Sequence, residues 1–158
     1  MTIEYVRMDS THIDDVANLE KLCFTIPWSA HSFDIELKNK VAYYLVAICD
    51  GSVVGYGGVW QVAGEGHITN IATHPQYRRM GVGAGILSKL IEFARTNNLE
   101  FLTLEVRKSN QAAQKLYEKF GFKVAGERKR YYEDNNEDAI IMTKTAKTGD
   151  GSVSCISF

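Results

Sequence analysis

The segment 74–85, HPQYRRMGVGAG, decides the fold, because it joins a predicted strand to the clearest amphipathic helix of the sequence. A helix start presents N–H groups without intrahelical partners and carries partial positive charge, so it can bind an anion such as a phosphate. The glycines allow a ligand to approach the backbone closely, and Arg78 and Arg79 add positive charge. The segment therefore predicts an anion site, with a glycine-rich loop that only starts a helix as the alternative. No Lys-Ser/Thr pair follows, which excludes a P-loop, and the third glycine of a dinucleotide-binding turn is missing.

Hydrophobic patterns on both sides of this segment predict a sheet with helices. Apolar residues at helical spacing follow it, and 43–73 reads as three antiparallel strands with a turn at Asp50-Gly51. The alternation of strands and helices over 67–127 requires a crossover, and so some parallel pairing. The predicted fold class is α/β (α+β), with a mixed, mostly antiparallel central sheet and helices on both faces. The remaining predictions are a strand at 3–7, helices from Ser10 or Thr11 to Cys23 and from Ser29 to Asn39, a bulge or close backbone approach at Gly57-Gly58, a strand at 101–106, a helix capped by Asn110 and ended by Gly121, and strands at 122–127 and 138–144.

The composition is that of an ordinary globular protein. Of the 158 residues, 45% are hydrophobic and 23% are charged, which suits a single domain, predicted at 1–146, with a loosely held tail at 147–158. The net charge of -1 provides no basic field, so neither a nucleic acid nor a membrane surface is expected as a partner. His67 and His74 have no metal-ligating residues near them in the sequence, and we interpret both as incidental. The oligomeric state stays open, with a monomer favoured.

The cysteines and the N-terminal sequence predict a reducing compartment. Cys23, Cys49 and Cys155 form no CxxC pair, so we expect reduced thiols and no zinc or other metal site. The first ten residues lack the basic and apolar regions of a signal peptide. The longest apolar run, 43–49, is too short to span a bilayer. These features predict a cytoplasmic protein.

The segment 74–85 resembles the acetyl-CoA signature of GNAT acetyltransferases, and the predicted order of elements is similar to the GNAT fold. The resemblance implies that acetyl-CoA is the co-substrate and that the turn holds its pyrophosphate. It also implies that the backbone of the preceding strand lines the pantetheine and the acetyl group, and that Asn110 contacts coenzyme A besides capping its helix. The residues that the resemblance assigns to acetyl-CoA are Ile71, Ala72, Thr73, Arg78, Arg79, Met80, Gly81, Val82, Gly83, Ala84 and Asn110.

Further stretches resemble one GNAT family, the bacterial ribosomal-protein alanine N-acetyltransferases. These stretches are 24–29 (FTIPWS), 70–72 (NIA), 104–113 (LEVRKSNQAA), 116–122 (LYEKFGF), 130–132 (RYY) and 137–142 (EDAIIM). The likeness runs to about Lys144 and does not extend to the tail. It implies transfer of the acetyl group to the N-terminal α-amine of a protein, the N-terminal alanine of a small-subunit ribosomal protein. The alternatives are a GNAT that acetylates small-molecule amines or lysine side chains, and a module that binds coenzyme A without turnover.

Two residues could carry the chemistry of acetyl transfer. The attacking amine must be neutral, and a carboxylate can take its proton, particularly where burial raises the pKa of the carboxyl. Glu105 interrupts the apolar strand 101–106, although a solvent-facing Glu105, or one paired with Arg107, would fit the sequence as well. Tyr117 lies on the apolar face of its helix, where a core aromatic would also lie. The family resemblance implies that Glu105 is the general base and that Tyr117 is the general acid that protonates the leaving thiolate.

Two aromatic pairs are candidates for binding the peptide. Tyr131 and Tyr132 lie in the polar loop before the last strand, and this region closes over the peptide in N-terminal acetyltransferases. Pro27 and Trp28 would form one wall of the peptide channel. The alternatives are ordinary loop aromatics for the first pair and packing residues for the second.

Overall fold

The computed structural model describes residues 2–146, so the prediction of a loosely held tail at 147–158 lies outside the described residues. The chain divides into two compact units. The first comprises the described residues up to Gln61 together with Ile68–Leu90, and the second comprises Val62–His67 and the described residues from Ile91 onwards. The single domain expected at 1–146 stays a prediction.

Seven strands and four α-helices form within the described residues. The strands are β1 (Ile3–Arg7), β2 (Ala42–Cys49), β3 (Ser52–Val62), β4 (Glu65–Thr73), β5 (Phe101–Arg107), β6 (Lys123–Arg128) and β7 (Ala139–Thr145). The helices are α1 (Ile13–Cys23), α2 (Ala30–Leu37), α3 (Val82–Thr96) and α4 (Gln111–Lys119), and none of these four is long and apolar enough to cross a membrane. The strand order is β1-β2-β3-β4-β5-β7-β6, with β4 and β5 parallel. Since β1–β2, β2–β3, β5–β7 and β6–β7 pair antiparallel, the prediction of a mixed, mostly antiparallel sheet is confirmed.

Side-chain caps fix where the helices of the first unit begin. Ser29 accepts a hydrogen bond from the Ser32 N–H and caps α2, as predicted. The prediction of Ser10 or Thr11 as the cap before α1 was wrong. Asp9 caps a 3₁₀ turn that leads into α1, and its carboxylate accepts a hydrogen bond of 2.9 Å from the Thr11 N–H. A carboxylate accepts more strongly than a hydroxyl, so Asp9 takes the capping role.

The core of the first unit gathers apolar residues from α1, α2 and the strands. Val16 and Leu19 of α1 are buried in a cluster with Phe33 of α2 and with Tyr44 and Tyr56 of the sheet. The edge of the Phe33 ring meets the Tyr56 ring at a centroid distance of 5.5 Å. Burying each such side chain stabilises the fold by about 1.5–3 kcal/mol. This packing holds α1 and α2 against the strands of the unit.

The hairpin between β2 and β3 needs glycine at a turn with positive φ and at a position where a side chain would not fit. Asp50 and Gly51 have φ angles of 50° and 80°, which a two-residue hairpin turn requires. Gly58 lies opposite Tyr44, and a Cβ at residue 58 would overlap the Tyr44 ring. The predicted close approach at Gly57-Gly58 is therefore confirmed, while the bulge in this pair of strands lies at Ala47/Ile48.

In the second unit β5 lies between β4 and β7. Gly66 and His67 of β4 pair with Leu102 and Thr103, and β7 pairs with β5 along its whole length. Burial alternates along β5, with Leu102, Leu104 and Val106 in the core and Thr103, Glu105 and Arg107 on the other face. The strand thus presents Glu105 and Arg107 on the same side, two residues apart.

We expect Gly58→Ala to destabilise the protein by about 1–3 kcal/mol, because the added methyl group must displace the buried Tyr44 ring. The free energy of unfolding measured in urea checks this. Gly126→Ala is the control, since a Cβ there would lie 3.8 Å from the Ile141 side chain, an ordinary contact. Equal stability of the two variants would contradict the expectation.

Candidate active site

The predicted anion-binding turn lies in the first unit, where β4 ends and α3 begins. A 3₁₀ turn at Pro75–Tyr77 follows β4, and Arg79 and Gly81 then adopt left-handed backbone conformations, with φ angles of 63° and 84°. The first hydrogen bond into the helix runs from the Gly85 N–H to the Gly81 carbonyl, at 2.9 Å. The N–H groups before Gly85 therefore have no partner within α3 and can meet an anion. Arg78, Arg79 and the preceding turn surface are exposed, as a charged ligand requires.

Hydrogen bonds fix the strand end that precedes this turn. The Thr73 carbonyl accepts from Arg78 Nε and from the Cys23 thiol, each at 3.4 Å. His74 Nδ1 accepts from the Gln76 N–H at 3.1 Å, so this histidine caps the turn. The residues predicted to line the acetyl group, Ile71 to Thr73, are the last three of β4. Their contact with acetyl-CoA stays a prediction.

A buried carboxylate in the first unit supports the predicted peptide wall. Pro27 and Trp28 are exposed in the loop between α1 and α2, and the Trp28 N–H donates to Glu20 Oε1 at 2.9 Å. Glu20 is 1% exposed, and its second oxygen accepts from the Tyr56 hydroxyl at 2.6 Å and from the Asn70 amide at 3.4 Å. Burial raises the pKa of Glu20. Glu20 was not among the predicted site residues, although a glutamate in the apolar stripe of α1 indicated a buried carboxylate.

Glu105 forms the centre of a hydrogen-bonded cluster in the second unit. Its Oε1 lies 2.8 Å from His67 Nε2 and accepts a hydrogen bond of 3.3 Å from the Tyr131 hydroxyl. Its Oε2 lies 3.7 Å from Arg128 Nε. The side chain of Glu105 is only 8% exposed, so it does not face solvent, and it forms no pair with Arg107.

The cluster keeps Glu105 ionised. The hydrogen bond from His67 is the largest influence and lowers the pKa of the carboxyl, with further help from Arg128 and Tyr131, while burial acts in the opposite direction. Burial does raise the pKa of this carboxyl, as it would for any buried carboxyl, but its partners outweigh that effect. An ionised carboxylate only accepts hydrogen bonds, so Nε2 of His67 carries the hydrogen of this pair.

His67 is the partner of the candidate base that sequence reasoning set aside. Its imidazole is 41% exposed, so it links the enclosed carboxylate to solvent. The interpretation of His67 as incidental was wrong, because β4 and β5 bring it next to a residue 38 positions later in the chain. Among the described residues no group of three His, Cys, Asp or Glu is placed to hold a metal ion.

The predicted peptide-binding tyrosines lie against this cluster. The rings of Tyr131 and Tyr132 meet edge to face at a centroid distance of 5.0 Å. The Arg107 guanidinium lies 4.0 Å above the Tyr132 ring centroid. Burial raises the pKa of both hydroxyls, so both stay protonated at neutral pH. The structure thus brings Tyr131 to Glu105 and Tyr132 to Arg107.

Tyr117 lies on α4 in the same unit. Its ring contacts Phe122 at a centroid distance of 5.8 Å, and burial raises its pKa to about 12. Asn110 caps α4 by accepting from the Ala113 N–H at 3.1 Å, which confirms the predicted cap, while its contact with coenzyme A stays a prediction.

Comparisons with known proteins place this geometry in a family. The model of the acetyltransferase (GNAT) family matches residues 13–122. A candidate ribosomal protein bS18-alanine N-acetyltransferase of Bacillus subtilis (strain 168) is 46% identical over 134 residues, covering 84% of this chain and 89% of that protein. The ribosomal protein bS18-alanine N-acetyltransferase of Escherichia coli (strain K12) is 33% identical over 137 residues, covering 85% and 92%. The crystal structure of the ribosomal-protein-S18-alanine N-acetyltransferase from Escherichia coli superposes with a TM-score of 0.86 at 30% identity, covering 94% of this chain and 96% of that one.

Substituting His67 by alanine should raise the pKa of Glu105, because the hydrogen bond from His67 is the largest influence that lowers it, and burial then acts with less opposition. Carbon-13 NMR titration of the Glu105 carboxyl measures this value directly. His74→Ala, which alters a histidine of the first unit, should leave the titration unchanged. A Glu105 pKa that is the same in wild type and His67→Ala would show that another group holds the charge.

Proposed function

This chain belongs to the acetyltransferase (GNAT) family, and we propose that it transfers the acetyl group of acetyl-CoA to the N-terminal α-amine of a protein. The observation that carries the proposal is the enclosed, ionised Glu105 carboxylate with its His67 and Tyr131 partners. The proposed substrate is the N-terminal alanine of a small-subunit ribosomal protein. This choice is supported by relatives named for that reaction on bS18, whose alignments cover 84% and 85% of this chain. We expect the reaction to take place in the cytoplasm.

The proposed reaction begins with loss of a proton from the α-amine. An ammonium ion has no lone pair to attack with, and the pKa of an α-amine, about 8, lies well below the value of about 10.4 for lysine. Glu105 accepts this proton, directly or through a water molecule. Because the pKa of Glu105 is lowered, the carboxylate is charged at neutral pH but holds a proton weakly. His67 donates a hydrogen bond to the carboxylate and so favours the charged form that can accept a proton.

The neutral amine then attacks the carbonyl carbon of the acetyl group, and the carbon–sulfur bond breaks. The nitrogen loses one more proton as the amide forms, and this proton balances the one that the leaving thiolate takes up. The coenzyme A thiolate leaves with the electron pair of that bond and needs a proton. Tyr117, with a pKa of about 12, stays protonated and can supply it. Since a thiol has a pKa of about 8.5, full transfer from Tyr117 is uphill, and its hydroxyl acts first by donating a hydrogen bond to the developing thiolate.

The residues of the turn fit the pyrophosphate of acetyl-CoA. The left-handed conformations of Arg79 and Gly81 expose backbone N–H groups ahead of α3, and Arg78 and Arg79 add two guanidinium groups. Tyr131 and Tyr132 of the second unit are the proposed peptide contacts. Bound acetyl-CoA would supply the activated acetyl group, and the chain's own residues would supply binding and proton transfer.

Peptides that begin with a free alanine should be acetylated on the α-amine. The measurement mixes the protein with acetyl-CoA and short peptides that start with Ala, Ser or Met, or with acetyl-Ala and an internal lysine, and follows thiol release and product mass. Acetylation restricted to free α-amines supports the proposal. Acetylation of lysine or of small amines alone would favour a GNAT that acts on lysine side chains or small-molecule amines. Binding of coenzyme A without turnover of any amine would show that the protein is not an acetyltransferase.

Glu105→Gln should lower kcat/KM for the alanine peptide by about 10²–10⁴-fold, because the amide cannot accept the proton. Tyr117→Phe should lower kcat while leaving binding of acetyl-CoA unchanged, since it removes only the hydroxyl. Glu118→Gln, an exposed position on the same helix, is the control and should behave as wild type. Wild-type rates in Glu105→Gln would remove Glu105 from the mechanism.

Arg78→Gln and Arg79→Gln should each weaken binding of coenzyme A by about 3–10-fold at low salt, because each removes one exposed charge near the anion. The loss should shrink as salt rises. Isothermal titration calorimetry at two salt concentrations measures both effects. Lys21→Gln, which removes an exposed charge from α1, serves as the control for net charge. Affinity unchanged in both arginine variants would place the pyrophosphate elsewhere.

A further inference from the structure

One side chain of β5, Arg107, makes several contacts with the loop between β6 and β7, residues 129–138. Arg107 Nη2 donates to Asp134 Oδ2 at 2.8 Å, and Nη1 donates to Glu137 Oε1 and Asn135 Oδ1, each at 3.2 Å. The same guanidinium lies 4.0 Å above the centroid of the Tyr132 ring. One planar group therefore contacts four residues of the β6–β7 loop.

These contacts are partly shielded from water. The Arg107 side chain is 32% exposed, and the carboxylates of Asp134 and Glu137 are 15% and 17% exposed. Pairs of this kind are weakened less by solvent and salt than fully exposed pairs. Glu137 is itself held, since its second carboxylate oxygen accepts from the Ser109 N–H at 2.7 Å. Arg107 and the start of α4 thus anchor the same end of the loop.

The β6–β7 loop has a conformation that needs such an anchor. Arg130 and Asn136 have φ angles of 53° and 58°, a region that costs side-chain-bearing residues free energy. Hydrogen bonds within the loop fix its internal shape, among them those from the Asn136 N–H to the Tyr132 carbonyl at 2.8 Å and from the Arg130 N–H to Asp138 Oδ1 at 2.9 Å. The Arg107 contacts add the attachment that sets where this loop lies against β5.

The anchored loop reaches the catalytic carboxylate. Arg107 lies against Tyr132, the Tyr132 ring packs edge to face on Tyr131, and the Tyr131 hydroxyl donates to Glu105 at 3.3 Å. Arg107 and Glu105 lie on the same face of β5, so one strand positions the first and the last residue of this series of contacts. A displacement of the loop would move both tyrosines and remove one hydrogen bond from Glu105.

We propose that Arg107 is a positioning residue for the peptide substrate, which holds the β6–β7 loop so that Tyr131 and Tyr132 can grip the peptide backbone beside Glu105. The inference rests on the proposed function, since it needs a peptide to be the acetyl acceptor. Lysine cannot replace this arginine, because an ammonium group is a point charge that does not span several acceptors and stack on a ring together. Arg107 therefore governs the KM for the peptide and leaves the KM for acetyl-CoA unchanged.

Steady-state kinetics with an alanine-starting peptide test this role in Arg107→Lys and Arg107→Gln. The expected result is a peptide KM at least 10-fold higher in both variants, with kcat within about 3-fold and the KM for acetyl-CoA within 2-fold. Lys108→Gln is the control, because the exposed neighbour pairs with Glu127 on β6 and should leave all three values unchanged. An unchanged peptide KM in Arg107→Gln, or a fall in kcat with unchanged KM, would overturn the proposal.

Limited proteolysis gives a readout that does not depend on activity. Lys129 and Arg130 are trypsin sites in the β6–β7 loop, and Arg107→Gln should increase the cleavage rate there at least 5-fold relative to Lys108→Gln. Asp134→Asn, which removes the closest partner of Arg107, should have a smaller effect in the same direction. Equal cleavage rates in wild type and both loop-anchor variants would reject the anchor. A wild type that acetylates no α-amine would reject the proposed function, while the cleavage rates would still decide whether Arg107 holds the loop.

Discussion

Successive side chains of a β-strand point to opposite faces of the sheet, and β5 buries only one of these two faces over its whole length. Its buried face carries Leu102, Leu104 and Val106, so Glu105 and Arg107 must lie on the other face. A one-residue change of register would turn both charged side chains into the core and the aliphatic ones out of it. The pairing of β5 with β7 along seven residues therefore fixes the face of the sheet on which Glu105 and Arg107 lie.

The two units treat a buried carboxylate in different ways. Glu105 gains a histidine, a tyrosine and an arginine as partners, and stays charged because these outweigh its burial. Glu20 gains only neutral donors, the Tyr56 hydroxyl, the Asn70 amide and the Trp28 N–H, and burial raises its pKa. The first arrangement keeps a carboxylate charged, and the second fixes the loop that carries Trp28. Both follow from the rule that a buried polar group must find hydrogen-bond partners.

Periodicity and turn chemistry were enough to predict most of the fold. The helical stripe after Gly85, the hairpin at Asp50-Gly51 and the cap at Asn110 are local signals, because the residues that make them are neighbours in sequence. The Asp9 cap was missed because three residues in a row can cap a helix, and the choice depends on where the backbone turns. The sequence also indicated Glu105 correctly as an unusual residue in an apolar strand. The roles of these residues in catalysis rest on the family resemblance and stay predictions.

The partners of Glu105 could not be predicted in the same way. His67 reaches it through parallel pairing, in which neighbouring strands are far apart in sequence and no hydrophobic pattern specifies the register. Since the pKa of a carboxyl depends on those partners, the direction of its shift could not be predicted from the sequence either. Arg107 was considered only as a partner for Glu105, because its true partners lie in a polar loop without periodicity.

The lowered and raised pKa values of these carboxyl groups determine how the stability of the fold changes in acid. The pKa values of Glu105, Glu137 and Asp138 are lowered in the second unit, so the stability that they contribute is present above their unfolded values and is lost as the pH falls through the folded ones. The raised pKa of Glu20 works the other way, because its folded form takes up a proton before its unfolded form does, and acidification then favours the fold. Glu105, the proposed catalytic base, is therefore among the carboxylates whose stabilising charge is lost in acid, whereas Glu20 is not.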